Sequence, residues 1–263
     1  MVPVSIVIIA RNKADILPAN IANAKLITDD IVVIDSGGTT INNNDIPGLR
    51  ILKKEWDGYG ANKNKGVEAA NYDWILSIDA DELVDEELIA ALHQLKYNDA
   101  GVVYDIKFRS YFGGKQIRFG SWGRDHHIRL FNRKQVRWSE TIVHETLMLQ
   151  PGMTVKKING YMHHFSVNSA SEYERKGSYY ARLSARKYFD SGRKSNVTKL
   201  YLSPIFGFIK NYIFFLGFLD GREGWDIAKI TVKNTWRKYH FLNQMEASSQ
   251  KKQAYKDSFA IEY

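Results

Sequence analysis

The chain of 263 residues contains no cysteine. Disulfides, thiolate metal sites and cysteine nucleophiles are therefore excluded, and the composition suits a reducing compartment. No G-x-G-x-x-G follows the first apolar run and no G-x-x-x-x-G-K-[ST] occurs anywhere, which argues against a dinucleotide fold or a P-loop nucleotidase. Met1-Val2-Pro3-Val4-Ser5 leads straight into a strand without a basic n-region or cleavage site, so no signal peptide is expected. Pro204 to Leu219 is apolar but is broken by Lys210 and Asn211, and falls short of the roughly 20 residues a membrane span needs. Internal repeats and low-complexity tracts are also lacking. With 44% hydrophobic residues the chain can build one large domain, or a domain with an appendage, without staples.

Charge is unevenly placed. Residues 1–170 carry 20 Lys+Arg against 20 Asp+Glu, whereas residues 171–263 carry 17 against 9, so the whole net charge of +8 lies in the C-terminal part. A catalytic domain over 1–170 and a basic helical region over 171–263 are the expected divisions. The second wants an anionic partner.

In the first part, Val4 to Ala10, Ile31 to Ile34, Leu49 to Leu52 and Trp74 to Ile78 are short apolar runs of strand length. Between them, residues 14–27 and 61–71 read as helices, and Val84 to Leu95 as a third. Strands that are nearly all apolar and alternate with helices predict an α/β fold, with a parallel sheet covered on both faces. After residue 100 the pattern turns strand-rich and irregular, and residues 170–190 and 199–243 read as helical.

The chemistry concentrates where the fourth strand ends, in Asp79-Ala80-Asp81-Glu82. Open α/β sheets bind ligands in the crevice at the carboxyl ends of their strands. Alternation points Asp79 and Asp81 the same way, and their charges repel unless a cation lies between them. A divalent ion carrying a phosphate-bearing substrate suits that place. The competing reading is that Asp79 or Asp81 merely caps the following helix.

The ordered set Ala10-Arg11-Asn12, Val33-Ile34-Asp35-Ser36-Gly37-Gly38-Thr39, Gly58-Tyr59-Gly60-Ala61-Asn62-Lys63-Asn64 and Asp73 to Glu82 resembles the family-two inverting glycosyltransferases of GT-A fold. Arg129-Leu130-Phe131, Val143-His144-Glu145, His164-Phe165-Ser166 and a Gly-Phe-Leu-Asp-Gly-Arg-Glu-Gly tail at 217–224 are similar to the lipopolysaccharide core β-glucosyltransferase branch. The resemblance spans roughly residues 3–243. It implies a Rossmann-like mixed sheet flanked by helices, and transfer of a hexose, glucose in that branch, from a nucleotide-diphosphate donor such as a UDP-hexose. The acceptor would be a hydroxyl of a lipid-linked saccharide such as lipopolysaccharide core.

Carried over position by position, the resemblance places Ala10, Arg11 and Asn12 in the first nucleotide-binding turn and Asp35 on the nucleotide base. Lys63 would lie near the phosphates and Asp79 at the ribose. Asp81 would ligate Mn²⁺ or Mg²⁺, with His164 as a further ligand. The base that takes the acceptor proton falls at Glu145, with His144 beside it as an alternative base or as a steering group, and Asp125 in reserve. His163 reads as a histidine satisfied by backbone carbonyls. His126 and His127 point apart on a strand and read as structural or acceptor-facing. Trp122, in a glycine-rich loop, offers a face to a sugar ring or simply packs.

Two other classes compete with this reading. A sugar-phosphate nucleotidyltransferase also uses such a sheet and metal carboxylates, but it opens with a Gly-rich phosphate loop that Ala10-Arg11-Asn12-Lys13 does not supply. A nucleic-acid-binding protein would use the basic tail and its aromatics, yet would leave Asp35, Asp79 and Asp81 without a role. In the tail, Ile227, Ile230, Trp236 and Tyr239 alternate with Lys229, Lys233, Arg237 and Lys238, a pattern suited to an anionic membrane surface. The expected partners are a nucleotide sugar, a lipid-linked acceptor and that surface, with no nucleic acid. The expected location is the cytoplasmic face of the inner membrane, attached peripherally.

Overall fold

The computed structural model describes residues 1–11, 16–37, 46–140 and 145–260, with side chains up to Ser249. It divides into two compact units, one of residues 1–116 and 122–166, the other of residues 117–121 and 167–263.

The first unit is built on the apolar runs. Strands β1 (Val4–Ala10) and β2 (Ile31–Asp35) are buried along their whole length, as strands covered on both faces must be. They pair in parallel, with Ala10 opposite Asp35. β3 (Leu49–Lys53) pairs with β2, and β4 (Trp74–Asp79) lies on the other side of β1, with Ile9 opposite Asp79. Side chains alternate across the sheet. Ile6 and Ile8 share a core cluster with Leu17 and Ile21 of helix α1 (Leu17–Ala24), whereas Val7 and Ile9 share one with Val67 of helix α2 (Tyr59–Ala69). Each of these aliphatic side chains contributes about 1.5–3 kcal/mol by leaving water.

The chain then leaves the parallel pattern. β5 (Glu82–Val84) follows β4 almost at once, and α3 (Glu86–Gln94) begins two residues beyond Val84, where the sequence pattern placed its start. Its cap is Asp85, whose Oδ1 accepts from Leu88 N–H at 2.8 Å. The capping carboxylate is thus neither Asp79 nor Asp81.

Strands β6 (Val102–Phe112), β7 (Lys115–Gln116) and β8 (His126–Asn132) follow. A small hairpin of β9 (Arg137–Trp138) and β10 (Leu147–Met148) precedes β11 (Thr154–Val167). The sheet runs β3-β2-β1-β4-β8-β6-β11-β5, with β7 beside β6. It is mixed, because β8 is antiparallel to both β4 and β6, and β5 is antiparallel to β11.

The second unit is helical. α4 (Ala170–Asp190) is capped by Ser169, and α5 (Val197–Phe208) by Asn196. A π-helical turn (Ile209–Phe214) and a 3₁₀ turn (Gly217–Asp220) lead into α6 (Gly221–Ala260). The sequence pattern reads 199–243 as helical, but the chain turns at Leu216, which takes a left-handed φ of 59°. Gly224, in the first turn of α6, lets the backbones come together: a Cβ on it would lie 2.0 Å from Gly217 O. Asp220 is buried and accepts from the backbone N–H groups of Arg118 (3.1 Å) and Phe119 (2.9 Å), which fixes residues 117–121 in this unit.

Candidate active site

The carboxyl ends of β1, β2 and β4 bring Ala10, Asp35 and Asp79 side by side. Ala10 is buried and its carbonyl accepts from Ser36 N–H at 2.9 Å. Asp35 Oδ1 accepts from Gly37 N–H at 2.9 Å, which holds the carboxylate at the mouth of β2. Arg11 is exposed, with its guanidinium 5.0 Å from the centre of the Trp56 ring. Asn12 and His144 lie outside the described residues.

Two cations flank Asp79. Lys63, on α2, is almost fully buried, and its Nζ lies 3.2 Å from Asp79 Oδ1. Arg129, on β8, donates to Asp79 Oδ2 at 3.2 Å and more closely to buried Glu82. The cation that relieves the crowding of carboxylates at Asp79 is therefore supplied by the protein itself. Burial alone would raise the Asp79 carboxyl, but the Lys63 and Arg129 charges more than offset it and hold it well below the usual carboxylate range. Glu82 moves the other way: burial pushes it up, against the pull of Arg129, and the Asp79 charge adds to the rise. The backbone here is held by Asn20 of α1, whose amide donates to the carbonyls of Asp79 (3.1 Å) and Glu82 (2.6 Å).

Lys63 has a second partner. It donates to Glu145 Oε1 at 2.7 Å, and its ammonium lies 4.6 Å from the centre of the Trp138 ring. α2 fixes this arrangement. The Asn64 side chain donates to Trp138 O and accepts from Trp138 N–H, both at 2.9 Å. Gly60 lets the helix approach, since a Cβ there would lie 1.9 Å from Ser139 O. Glu145 is thereby drawn to the same place as Asp79. The ammonium of Lys63 is taken up by these two carboxylates.

On the other side of Asp79, the β5–β11 pairing puts His164 opposite Glu82 and brings its Nε2 to 3.8 Å from Asp81 Oδ1. That separation is too long for a hydrogen bond. Burial lowers the His164 pKa, against the opposing charges of Asp81 and Asp79, which favours the neutral ring. Its Nδ1 lies 3.0 Å from Ser166 Oγ; with Nδ1–H donating to that hydroxyl, Nε2 presents its lone pair toward Asp81. A carboxylate and a neutral imidazole are the donor set of a divalent ion such as Mn²⁺. No group of three or more His, Asp or Glu side chains is arranged for a metal among the described residues. Asp81 and His164 therefore fit an ion that takes its remaining ligands from elsewhere.

Asp125 belongs to the same cluster. It pairs with His127 at 3.0 Å; burial would raise its carboxyl, but the hydrogen bond and charge of His127, with the charge of Arg129, outweigh that and lower its pKa. His126 pairs instead with Asp105 at 2.8 Å. The partner of His163 is the Tyr111 hydroxyl (2.9 Å), not a backbone carbonyl. Trp122 sits in a 3₁₀ turn near Phe112, ring centres 6.0 Å apart. Sequence reasoning gave Arg129 no role of its own. Its signal was present all the same: a cation between Ile128 and the core residues Leu130 and Phe131 must have a buried carboxylate to meet it.

The geometry defines an α/β protein whose carboxylates and their cationic partners gather at the carboxyl ends of its parallel strands. Residues 5–151 match the family "Glycosyl transferase family 2", and the chain belongs to that family of glycosyltransferases. An uncharacterized glycosyltransferase of Rickettsia typhi is 26% identical over 236 residues, 85% of this chain and 81% of the relative. The lipopolysaccharide core biosynthesis glycosyltransferase LpsC of Rhizobium meliloti is 25% identical over 253 residues, 90% and 93% of the two chains. Among solved structures, S. aureus TarS 1–349 aligns over 92% of this chain and 91% of its own, at 12% identity and a TM-score of 0.43. Membership decides between the two enzyme classes weighed above in favour of glycosyl transfer.

Proposed function

We propose that the protein is an inverting, metal-dependent transferase that moves a hexose, glucose in the first instance, from a UDP-sugar to a hydroxyl of a lipid-linked glycan such as lipopolysaccharide core. The observation that carries this reading is the convergence of Asp79, the Asp81–His164 pair and the Lys63–Glu145 pair at one end of the sheet. Asp35 and Arg11 line the side of the crevice where the base and ribose of a nucleotide would lie. Asp79, at the end of β4 and held by Lys63 at 3.2 Å, stands where the ribose would lie. Asp81 and His164 would hold Mn²⁺ or Mg²⁺, which when bound supplies Lewis-acid stabilisation of charge on the departing diphosphate.

Glu145 is the base in this reading. Lys63 occupies Oε1, and the carboxylate's other oxygen receives the proton of the acceptor hydroxyl. As the acceptor oxygen bonds to the anomeric carbon from the face opposite the phosphate, the carbon–oxygen bond to the diphosphate breaks and its electron pair leaves with the nucleotide. The resemblance to LpsC, a lipopolysaccharide core glycosyltransferase by name, supports the acceptor class. The basic second unit supports a site of action on the cytoplasmic face of the inner membrane.

The test is release of nucleotide diphosphate from a panel of sugar donors, with Mn²⁺ or with EDTA, for wild type and Asp81→Ala. Metal-dependent turnover of one donor, lost in the variant, is the expected result. If calorimetry finds no binding of uridine diphosphate with or without metal, the reading falls.

A further inference from the structure

The second unit has an apolar face of its own. On α5 and the π-helical turn, Tyr201, Leu202, Ile205, Phe206, Ile213 and Phe214 are each about half exposed or more. Leu200 and Pro204 take the buried side of α5, and the exposed residues recur three and four apart on the side opposite. Phe218, Leu219 and Trp225 extend the exposure past the turn. Apolar patches of this kind mark interaction sites.

The shape of the face narrows its partner. No single helix among the described residues is long and apolar enough to cross a membrane, and Val197–Phe214 meets Gly217–Ser249 at 70°. The apolar residues therefore ride on an elbow. Exposed cations flank it at Lys199, Lys210, Arg222 and Lys229. Between α5 and α6 runs a groove of about 420 Å³ walled by Tyr201, Pro204, Ile205, Val232 and Trp236. Lys233 and Arg237, which also line it, are held by Glu174 at 3.3 and 2.7 Å. A second copy of the chain would bring a like-charged surround against this one and be repelled. An anionic bilayer matches both the charge and the apolar face.

We propose that the elbow is a docking surface for an anionic phospholipid bilayer. Phe206 and Phe214 enter the acyl boundary, the flanking cations meet lipid phosphates, and the α5–α6 groove receives an acyl chain. This deepens the acceptor half of the function proposed above and rests on it only for its biological purpose; the surface itself stands on its own geometry.

The experiment uses the full chain and vesicles of phosphatidylcholine with or without phosphatidylglycerol, at low and high salt, with no glycan present. Expected is sedimentation with the anionic vesicles alone, weakened by salt and by about fivefold for each of Lys199→Gln and Lys210→Gln. Phe206→Ser combined with Phe214→Ser, both at exposed positions, should weaken binding at least roughly tenfold, with circular dichroism and uridine diphosphate affinity unchanged. Brominated acyl chains should quench wild-type fluorescence more than that of Trp236→Phe. Equal binding to neutral vesicles, no binding, a double variant that still binds, or a concentration-dependent dimer in place of vesicle binding would each overturn the proposal. Loss of uridine diphosphate binding with vesicle binding intact would strike the donor reading instead.

Discussion

Lys63 and Glu145, 82 positions apart in the chain, meet at 2.7 Å beside Asp79. The same ammonium faces Asp79, so one buried cation ties the carboxylate expected at the donor to the carboxylate expected at the acceptor. Lys63→Met should therefore damage both fold and activity. Removing one partner of a buried ion pair costs about 3–5 kcal/mol, seen as a lowered midpoint in denaturant. Donor turnover should fall by more than the same loss of stability causes in a core variant such as Ile6→Ala. A Lys63→Met protein with wild-type turnover would show that the bridge is purely structural.

Glu145 and Asp125 compete for the role of base, and one pair of isosteric substitutions separates them. Glu145→Gln should lower transfer to acceptor by roughly 10²–10⁴ while leaving donor binding in place. Asp125→Asn should lose little, because that carboxylate is already engaged by His127. The reverse pattern in single-turnover assays would move the base to Asp125.

Asp81 and His164 are partly exposed, so their removal should spare the fold. Asp81→Ala and His164→Ala should each raise the Mn²⁺ concentration needed for half-maximal turnover. EDTA should abolish wild-type activity, and the loss of several kcal/mol of charge stabilisation corresponds to roughly 10²–10⁴ in rate. Activity that is indifferent to EDTA would remove the metal from the reaction.

Much of this site was legible because it is local. The apolar runs 4–10, 31–34 and 74–78 announce buried strands by composition alone, and Asp35 and Asp79 are the polar residues that end two of them. What local pattern does not carry is pairing across the sheet. Nothing near Arg129 tells which carboxylates it meets, and nothing near Lys63 points to a hairpin over 70 residues away. The start of α3 was misplaced for a related reason: Val84 fits a helical stripe equally well, and only its pairing with Met162 on β11 makes it a strand.

Arg129 and Glu82 give a prediction with opposite outcomes for the two partners. Because burial raises the Glu82 carboxyl against the pull of Arg129, Glu82→Gln keeps the shape of the group and removes a charge that is costly to bury. It should change stability by about 1 kcal/mol or less. Arg129→Met leaves Asp79 and Glu82 facing one another without their shared cation and should cost about 3–5 kcal/mol. Urea unfolding of both variants checks the asymmetry; equal losses would mean that Glu82 is held as a full carboxylate.

The second unit offers a test of pH. Glu174 on α4 accepts from Arg237 and Lys233 on α6, and these contacts lower its pKa. A folded-state value below the unfolded one means that the unfolded chain binds the extra proton first. The stabilisation is then complete above the ordinary glutamate range and lost as pH falls through the lowered value. The group is solvent-exposed, so the clasp is worth little, of the order of a 1–2 °C shift in melting. Wild type should melt slightly above Glu174→Gln at neutral pH, and the two should converge as the pH falls below the ordinary glutamate value. High salt at neutral pH should bring about the same convergence, since screening weakens an exposed ion pair whatever its protonation. A gap that widened in acid would mean that the carboxylate contributes through something other than its charge.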